Sequence, residues 1–385
     1  MSTNKINRRA IEIRRHREIR ASDFKSFRFA VGALFLCALI IFSFTYQKPE
    51  SIERAVVVEP ERITESRVTF LAVGDMMISR GVARSITRAN DPLAPFRKME
   101  AVFRSTDFNF GNLEVPISGN NNVIGKGLVF NMHTRDIAGL KAYNFKVLNL
   151  ANNHALDQGV EGLRRTQRFL DEQGFTYLGV GDNPEQAWQP KTITVNNVKI
   201  GFVGASYASI NDGGVARNDY VARIEDTDRL QRAIARLRAE GADFIVATMH
   251  AGVEYTRRPH QPQIDFARNA IDSGADIVIG AHPHWTQIFE TYKGKYIFYS
   301  LGNFIFDQEW SRDTKEGLAL KITLQNRKSS APKSASALQG TRVEQIELIP
   351  VVIENFSTPR PATETEAQQI LKKIGATEKI IKPQM

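Results

Sequence analysis

Six apolar, strand-like stretches each run directly into residues that bind metals or move protons, and this recurrence constrains the fold more than any other feature of the chain. They are FLAVGD ending at Asp75, FNFGNLE at Glu114, VLNLANNH at His154, IVATMH at His250, DIVIGAHPH at His282 and His284, and FYSLGN at Asn303. In an α/β sheet the carboxyl ends of the strands open onto one rim, so side chains far apart in sequence converge there. A rim carrying an acid, an amide and several imidazoles predicts a metal site.

Between these stretches strands and helices alternate, which predicts a layered α/β domain over residues 67–358. Helices are expected at 93–105, 160–173, 228–240 and 261–273. Asp226 supplies N-cap chemistry to the third, and Gly241 supplies its stop. Hairpin turns are expected at Asn196-Asn197 and Lys293-Gly294. Antiparallel pairs among parallel βα units point to a mixed sheet or two packed sheets. The Ser/Ala/Lys-rich stretch 326–340 reads as a flexible loop, and 359–385 as a tail with one short helix at 364–374.

The chain carries a formal charge of +9. Residues 1–28 hold nine basic and three acidic groups, a net of +6, so only +3 is left for everything else. That distribution removes the argument for nucleic-acid binding by the main domain. The basic arm abuts an uncharged run of 18 residues, 29–46, which as a helix rising ~1.5 Å per residue just crosses a bilayer core. Positive charge before the span predicts a cytoplasmic arm, a single-pass anchor in the cell membrane and an extracytoplasmic domain, joined by a linker at 47–66. A cleaved signal peptide is the competing reading, against which stand the long arm and the absence of a small-x-small cleavage pattern. The one cysteine, Cys37, lies inside the run, so no internal disulfide forms.

Asp75 at a strand end after Gly74 offers carboxylate oxygen to a hard or borderline cation, or else caps a loop. Asn112 and Glu114, two apart on an extended segment, share a face, on which Glu114 is expected to bind metal and Asn112 to touch substrate. Asn153 offers an amide oxygen, while His154 beside it is free to transfer a proton and Asp157 can orient that imidazole. His250, His282 and His284 complete the nitrogen donors, and Pro283 fixes the backbone between the last two. Asn303 suits a substrate hydrogen bond, support of a ligand or a structural turn. Arg80 suits an anionic substrate group or the surface, and Tyr255 a cleft wall or simple packing.

The motifs GDMMISRG, GNLEVPIS, LANNHALDQG, MHAGVEY, GAHPH and SLGNFIFD, spread over residues 68–305, together resemble the capsule-synthesis CapA family, which includes the membrane-anchored PgsA-type component of poly-γ-glutamate assembly. The family is in turn similar to the calcineurin-like metallophosphoesterases. The resemblance implies a four-layer α/β/β/α sandwich with mixed sheets and a site for one or two divalent ions (Mn, Zn or Fe). It implies that Asp75 and His284 hold a first ion, that Asn153, His250 and His282 hold a second, and that His154 donates a proton to the leaving group. Two positions depart from the phosphoesterase pattern. Met77 stands where that pattern has a histidine, and Asn112 and Glu114 stand where it has a bridging aspartate.

These readings lead to an expected membrane-anchored protein of capsule or exopolymer biosynthesis, with a metal-dependent hydrolase or transferase site. Its expected partners are the bilayer, membrane subunits of a polymer synthase and an anionic polymer. A non-catalytic polymer-binding subunit, and a phosphoesterase acting on a nucleotide or lipid-linked phosphate, are the alternatives.

Overall fold

The computed structural model of the chain describes residues 63–119, 128–207, 219–329 and 340–382. The basic arm, the apolar run 29–46 and nearly all of the expected linker lie outside them. No described helix is long and apolar enough to cross a membrane.

The chain first lays down β1 (Ile63–Met76), β2 (Phe108–Leu113), β3 (Phe145–Asn149) and β4 (Thr176–Leu178) in one sheet. It then builds a second sheet from β5 (Lys191–Val195), β6 (Val198–Ser206), β7 (Phe244–His250), β8 (Ile277–Ala281), β9 (Phe289–Tyr292) and β10 (Lys295–Phe298). Finally it returns to the first with β11 (Asn303–Ile305), β12 (Glu316–Ser329), β13 (Gly340–Glu354), β14 (Thr358–Pro361) and β15 (Ile380–Ile381).

The strand order is β14-β13-β12-β1-β2-β3-β4 in the first sheet and β5-β6-β7-β8-β10-β9 in the second. Off the first path, β11 pairs β1 and β15 pairs β13. Both sheets are mixed. β1 to β4 run parallel while β12 to β14 are antiparallel. In the second sheet β6, β7, β8 and β10 run parallel, with antiparallel β5 and β9 at the edges.

The sheets stack face to face on an aromatic interior in which Phe70, Phe108 and Phe110 of the first meet Phe202, Phe244 and Phe298 of the second. Phe110 and Phe202 lie 5.7 Å apart between ring centres. Helices Arg80–Ala89, Ile137–Ala142 and Gly159–Glu172 cover the outside of the first sheet, and Thr227–Ala239 and Gln261–Asp272 that of the second. Strands covered on both faces need no polar side, which is why β8 and most of β7 read as apolar runs and both are buried throughout.

Four expected helices fall within one residue of the observed ones. The helix expected at 93–105 is corrected to a 3-10 helix, Ala94–Met99, followed by one α-turn, Glu100–Phe103. Pro95 in the first turn lacks an amide hydrogen, and Phe96 and Met99 bury at the three-residue spacing that suits the tighter helix. Helix Arg80–Ala89 was not legible because Gly81, Val82 and Ile86 alone are buried, too narrow a stripe to stand out. Both hairpin turns form where expected, with positive φ at Asn196, Asn197, Lys293 and Gly294, as two-residue turns of this kind require.

The long strands extend past the expected boundaries. β1 begins at Ile63, paired with Ser329 of β12, so the sheet takes in the end of the expected linker. β12 and β13 pair as far as Arg327 and Gly340, which leaves 330–339 outside the described residues. From Thr358 the chain adds β14 to the edge of β13, and helix Glu364–Lys373 then leads into Ile374, with Leu371 and Ile374 packed into the interior between the sheets.

Candidate metal centre

The first sheet contributes Asp75, which sits across the ladder from Asn112 of β2 and Asn303 of β11. Gly74 makes this possible: a Cβ there would stand 1.9 Å from the Gly302 carbonyl oxygen, to which the Asp75 amide donates at 3.1 Å. The second sheet contributes His250 at the end of β7, in register with Ala281 of β8, after which the chain turns through His282 and His284. Those two imidazoles are aimed by left-handed backbone, φ 101° at His282 and 59° at His284. Such conformations cost non-glycine residues on the order of 1–3 kcal/mol each and persist where the surroundings enforce them.

The donors form two sets that meet at Glu114. In the first, ligand atoms of Asp75, Glu114 and His284 all lie within 4.8 Å of one another, and all three residues are buried. In the second, His250 Nε2 lies 2.8 Å from Asn153 Oδ1 and 3.1 Å from His282 Nδ1. Glu114 Oε1 stands 3.8 Å from that same His250 nitrogen. Ligand atoms held at about 2.0–2.2 Å from one ion stand roughly 3 Å apart.

Three polar atoms in this cluster are buried without a protein partner: both carboxyl oxygens of Glu114 and Nε2 of His282. Burial, and then the neighbouring Asp75 carboxylate, push the Glu114 carboxyl well above its ordinary range. Burial also pushes His250 and His282 well below the ordinary imidazole value, with mutual repulsion among the histidines adding to it, so both rings are neutral lone-pair donors. Two buried carboxyl groups among neutral imidazoles form a donor set that fits a divalent cation, because an uncompensated buried carboxylate is strongly unfavourable.

A shell of amides fixes the donors. Asn112 Nδ2 donates to Asp75 Oδ1 at 2.8 Å and reaches His250 Nδ1 at 3.1 Å, while its oxygen accepts from Asn149 Nδ2 at 2.9 Å. Asn303 Oδ1 accepts from His284 Nδ1 at 2.9 Å, and its Nδ2 donates to the Thr314 carbonyl at 2.9 Å. Asn112 and Asn303, expected to touch substrate, are thus enclosed and orient ligands. Asn152, beside Asn153 in the expected Asn-Asn-His run, belongs to the same shell, and so does Asn149, which the sequence reading missed. Their signal was present, since asparagines inside the apolar run VLNLANN need partners.

His154 stands at the side of the cluster. Its Nδ1 donates to Asp157 Oδ2 at 2.7 Å, and its Nε2 lies 3.8 Å from Glu114 Oε1. The same Asp157 oxygen accepts the Phe130 amide at 2.7 Å, and the Phe130 ring stacks on His154 at 4.0 Å. Burial raises the Asp157 carboxyl from its ordinary value, and the bond to His154 opposes that rise.

Arg80 is already engaged. Its guanidinium pairs with Asp307 and lies over the rings of Phe130 and Phe306. Nothing in the sequence signalled that Asp307 partner, 227 residues away. Tyr255 forms part of an aromatic wall, 5.9 Å from His284 and edge-on to Trp310 at 4.7 Å. Met77 is buried in the apolar layer between the first sheet and its helices, so the imidazole-less position is occupied by core.

Comparisons with known proteins bear on the family and the fold. The chain is 30% identical over 354 residues to "Capsule biosynthesis protein CapA" of Bacillus anthracis, covering 90% of this chain and 80% of that one. It is 34% identical over 249 residues to "PGA biosynthesis protein CapA" of Bacillus subtilis, covering 64% of this chain and 65% of that one. The fold is similar to that of a Staphylococcus aureus protein assigned as a 5'-nucleotidase, solved in complex with alpha-ketoglutarate, with TM-score 0.50 and 17% identity. That match covers 80% of this chain and 58% of the other, and it concerns the mixed α/β architecture alone. The profile of the family described as "Bacterial capsule synthesis protein PGA_cap" matches residues 69–308, more than half of the sequence, and the chain belongs to that family.

Proposed function

We propose that this is a membrane-anchored, extracytoplasmic protein of capsule or exopolymer biosynthesis whose strand-end site is a metal-dependent hydrolase or transferase centre. The observation that carries the chemistry is Glu114, fully buried with both oxygens unpartnered, between Asp75 and His284 on one side and His250 on the other. Asp75, Glu114, His284, Asn153, His250 and His282 would hold the cation or cations. A bound divalent ion of the Mn, Zn or Fe kind supplies Lewis-acid polarisation of an amide or ester and lowers the pKa of bound water.

The remaining work belongs to the protein's own groups. Asp157 holds Nδ1 of His154, which leaves Nε2 of that ring facing the cluster to give or take a proton. The Phe130 ring covers the imidazole and limits water on that side. Asn112 and Asn303 keep Asp75 and His284 from turning away. Anchoring through residues 29–46, with membrane synthase subunits as partners, would place this site where a polymer such as poly-γ-glutamate emerges.

Elemental analysis of the full-length protein in detergent, joined to restoration of polymer formation in a strain lacking its own copy, tests this. Bound or activating metal is expected in the wild type. Both the metal and polymer formation are expected to be lost in Asp75→Ala and His282→Ala. A second reading, a non-catalytic polymer-binding subunit, is favoured by Met77 in the core where a ligand would otherwise stand. It is supported instead if metal-free variants restore polymer at the wild-type level. Protease accessibility of the domain in intact spheroplasts tests the topology.

A further inference from the structure

On the far side of the Phe130 segment lies a second cavity that the metal chemistry does not use. It has a volume of about 440 Å³ and is lined by Ser79, Arg80, Arg84, Thr87, Arg88, Asn131 and His133. No acidic side chain lines it, in contrast to the cation-rich cavities at Arg229 and at Lys373, which contain Glu185 and Asp313. Arg80, Arg84 and Arg88 recur every fourth residue along one helix face, about 6 Å apart at ~1.5 Å rise per residue. Arg80 is neutralised by Asp307. Arg84 and Arg88 are exposed and have no acidic partner among the described residues.

The floor of the cavity is tied together by hydrogen bonds. Ser79 Oγ donates to the Asn131 carbonyl at 3.0 Å and accepts the Asn131 amide at 3.2 Å, and Asn131 Oδ1 accepts the Ser118 amide at 3.1 Å. Asn131 directly follows Phe130, the ring that stacks on His154. Arg80 and Asn131 thus connect the cavity to the Phe130 ring that covers His154.

We infer that this groove is an anion track, in which Arg84 and Arg88 hold successive acidic groups of a linear polyanion engaged by this protein. Guanidinium forks suit repeated planar acid groups. Two unneutralised cations one turn apart favour a chain bearing charges at a similar repeat over a single small anion. A recessed groove whose wall backs onto the ring that covers His154 favours a polymer over a lipid surface. The inference rests on the proposed polymer reading but concerns binding, so it is testable without turnover.

The test measures binding of a fluorescent γ-linked oligoglutamate to the full-length protein in detergent, with poly(glycerol phosphate) and phosphatidylglycerol vesicles as further arms. Arg84→Gln with Arg88→Gln is expected to weaken oligoglutamate binding at least tenfold and to reduce its salt sensitivity, and Arg84→Lys with Arg88→Lys to recover part of the loss. Unchanged melting temperature and metal content report intact folding. Arginine-dependent binding of the phosphate polymer as well keeps the track and widens its ligand to phosphate chains. Oligoglutamate binding that is absent, or equal in the Gln variant, overturns the inference, as does arginine dependence confined to vesicles. Asp75→Asn separates the two proposals: arginine-dependent binding in that variant upholds the track even if the site proves not to be catalytic.

Discussion

Glu114 is the residue on which the site depends. In the metal-free protein its carboxyl is buried, unpaired and close to Asp75, an arrangement that destabilises the fold. Glu114→Gln removes that ionisable group at almost constant volume. Metal-free Glu114→Gln protein is therefore expected to melt no lower than metal-free wild type, while added Mn(II) or Zn(II) raises its melting temperature less. Calorimetry with and without chelator reads both effects, since a ligand stabilises only the state that binds it. Gly74 is decisive for a different reason. Gly74→Ala places a Cβ against the Gly302 carbonyl oxygen, a backbone atom that cannot give way. A loss of about 1–3 kcal/mol on denaturant unfolding is expected, together with weaker metal binding because Asp75 moves with β1. Of the residues singled out from sequence, those that end strands meet at the cluster. For Asn112 and Asn303 the residue type and strand-end position were readable, and for Arg80 the residue type, but the partner was not. Each is bound by a group from a distant segment, and the partner decides whether a polar side chain faces ligand or scaffold.

Among the elements, helix Glu364–Lys373 shows how a stretch without chemistry still shapes the molecule. Thr363 and Glu366 form a reciprocal cap at its start, and Arg360, followed by the Thr363 amide, lowers the Glu366 carboxyl to about 2. Thr363→Ala is expected to cost about 1 kcal/mol in urea unfolding. A carboxyl whose folded pKa is depressed adds stability that is present above the unfolded value of 4.5 and is lost as pH falls through about 2. Wild type should therefore lose stability over that window more steeply than Glu366→Gln, the group being near the surface and its share modest. A parallel acid slope in the two proteins would remove Glu366 from the account. The helices at 159–172, 227–239 and 261–272 were legible because their apolar stripes are wide, whereas helix Arg80–Ala89 was hidden by its narrow one. The length of β12 and β13 was equally hidden, because polar residues such as Gln325 and Arg327 pair through backbone whatever their side chains.

Across the whole molecule, the metal cluster exists because two sheets are closed on each other. Asp75, Glu114 and Asn153 belong to the first, His250 and His282 to the second, and the aromatic interior sets their separation. Phe202 of β6 contacts Phe110 and Phe108 across that interior. Phe202→Ala is expected to cost about 3–5 kcal/mol. It should also weaken metal binding measured by titration at a temperature where the variant is still folded, although Phe202 is not among the donors. Unaltered metal affinity in the folded variant would show that the two donor sets are held by something other than sheet closure.

What the sequence alone determined was local: which apolar runs become strands, which polar residues end them, and where the two hairpins turn. Those properties follow from periodicity, burial and turn chemistry within a few residues. Tertiary structure decided that Asn153 faces His250 and His282, that Asn112 supports Asp75 and not a ligand, that Met77 is core, and that Arg84 and Arg88 are left without counter-charges. Each of these depends on register and on the approach of segments tens to hundreds of residues apart. The free energy that selects such pairings comes from the packed interior and not from the residues that they bring together.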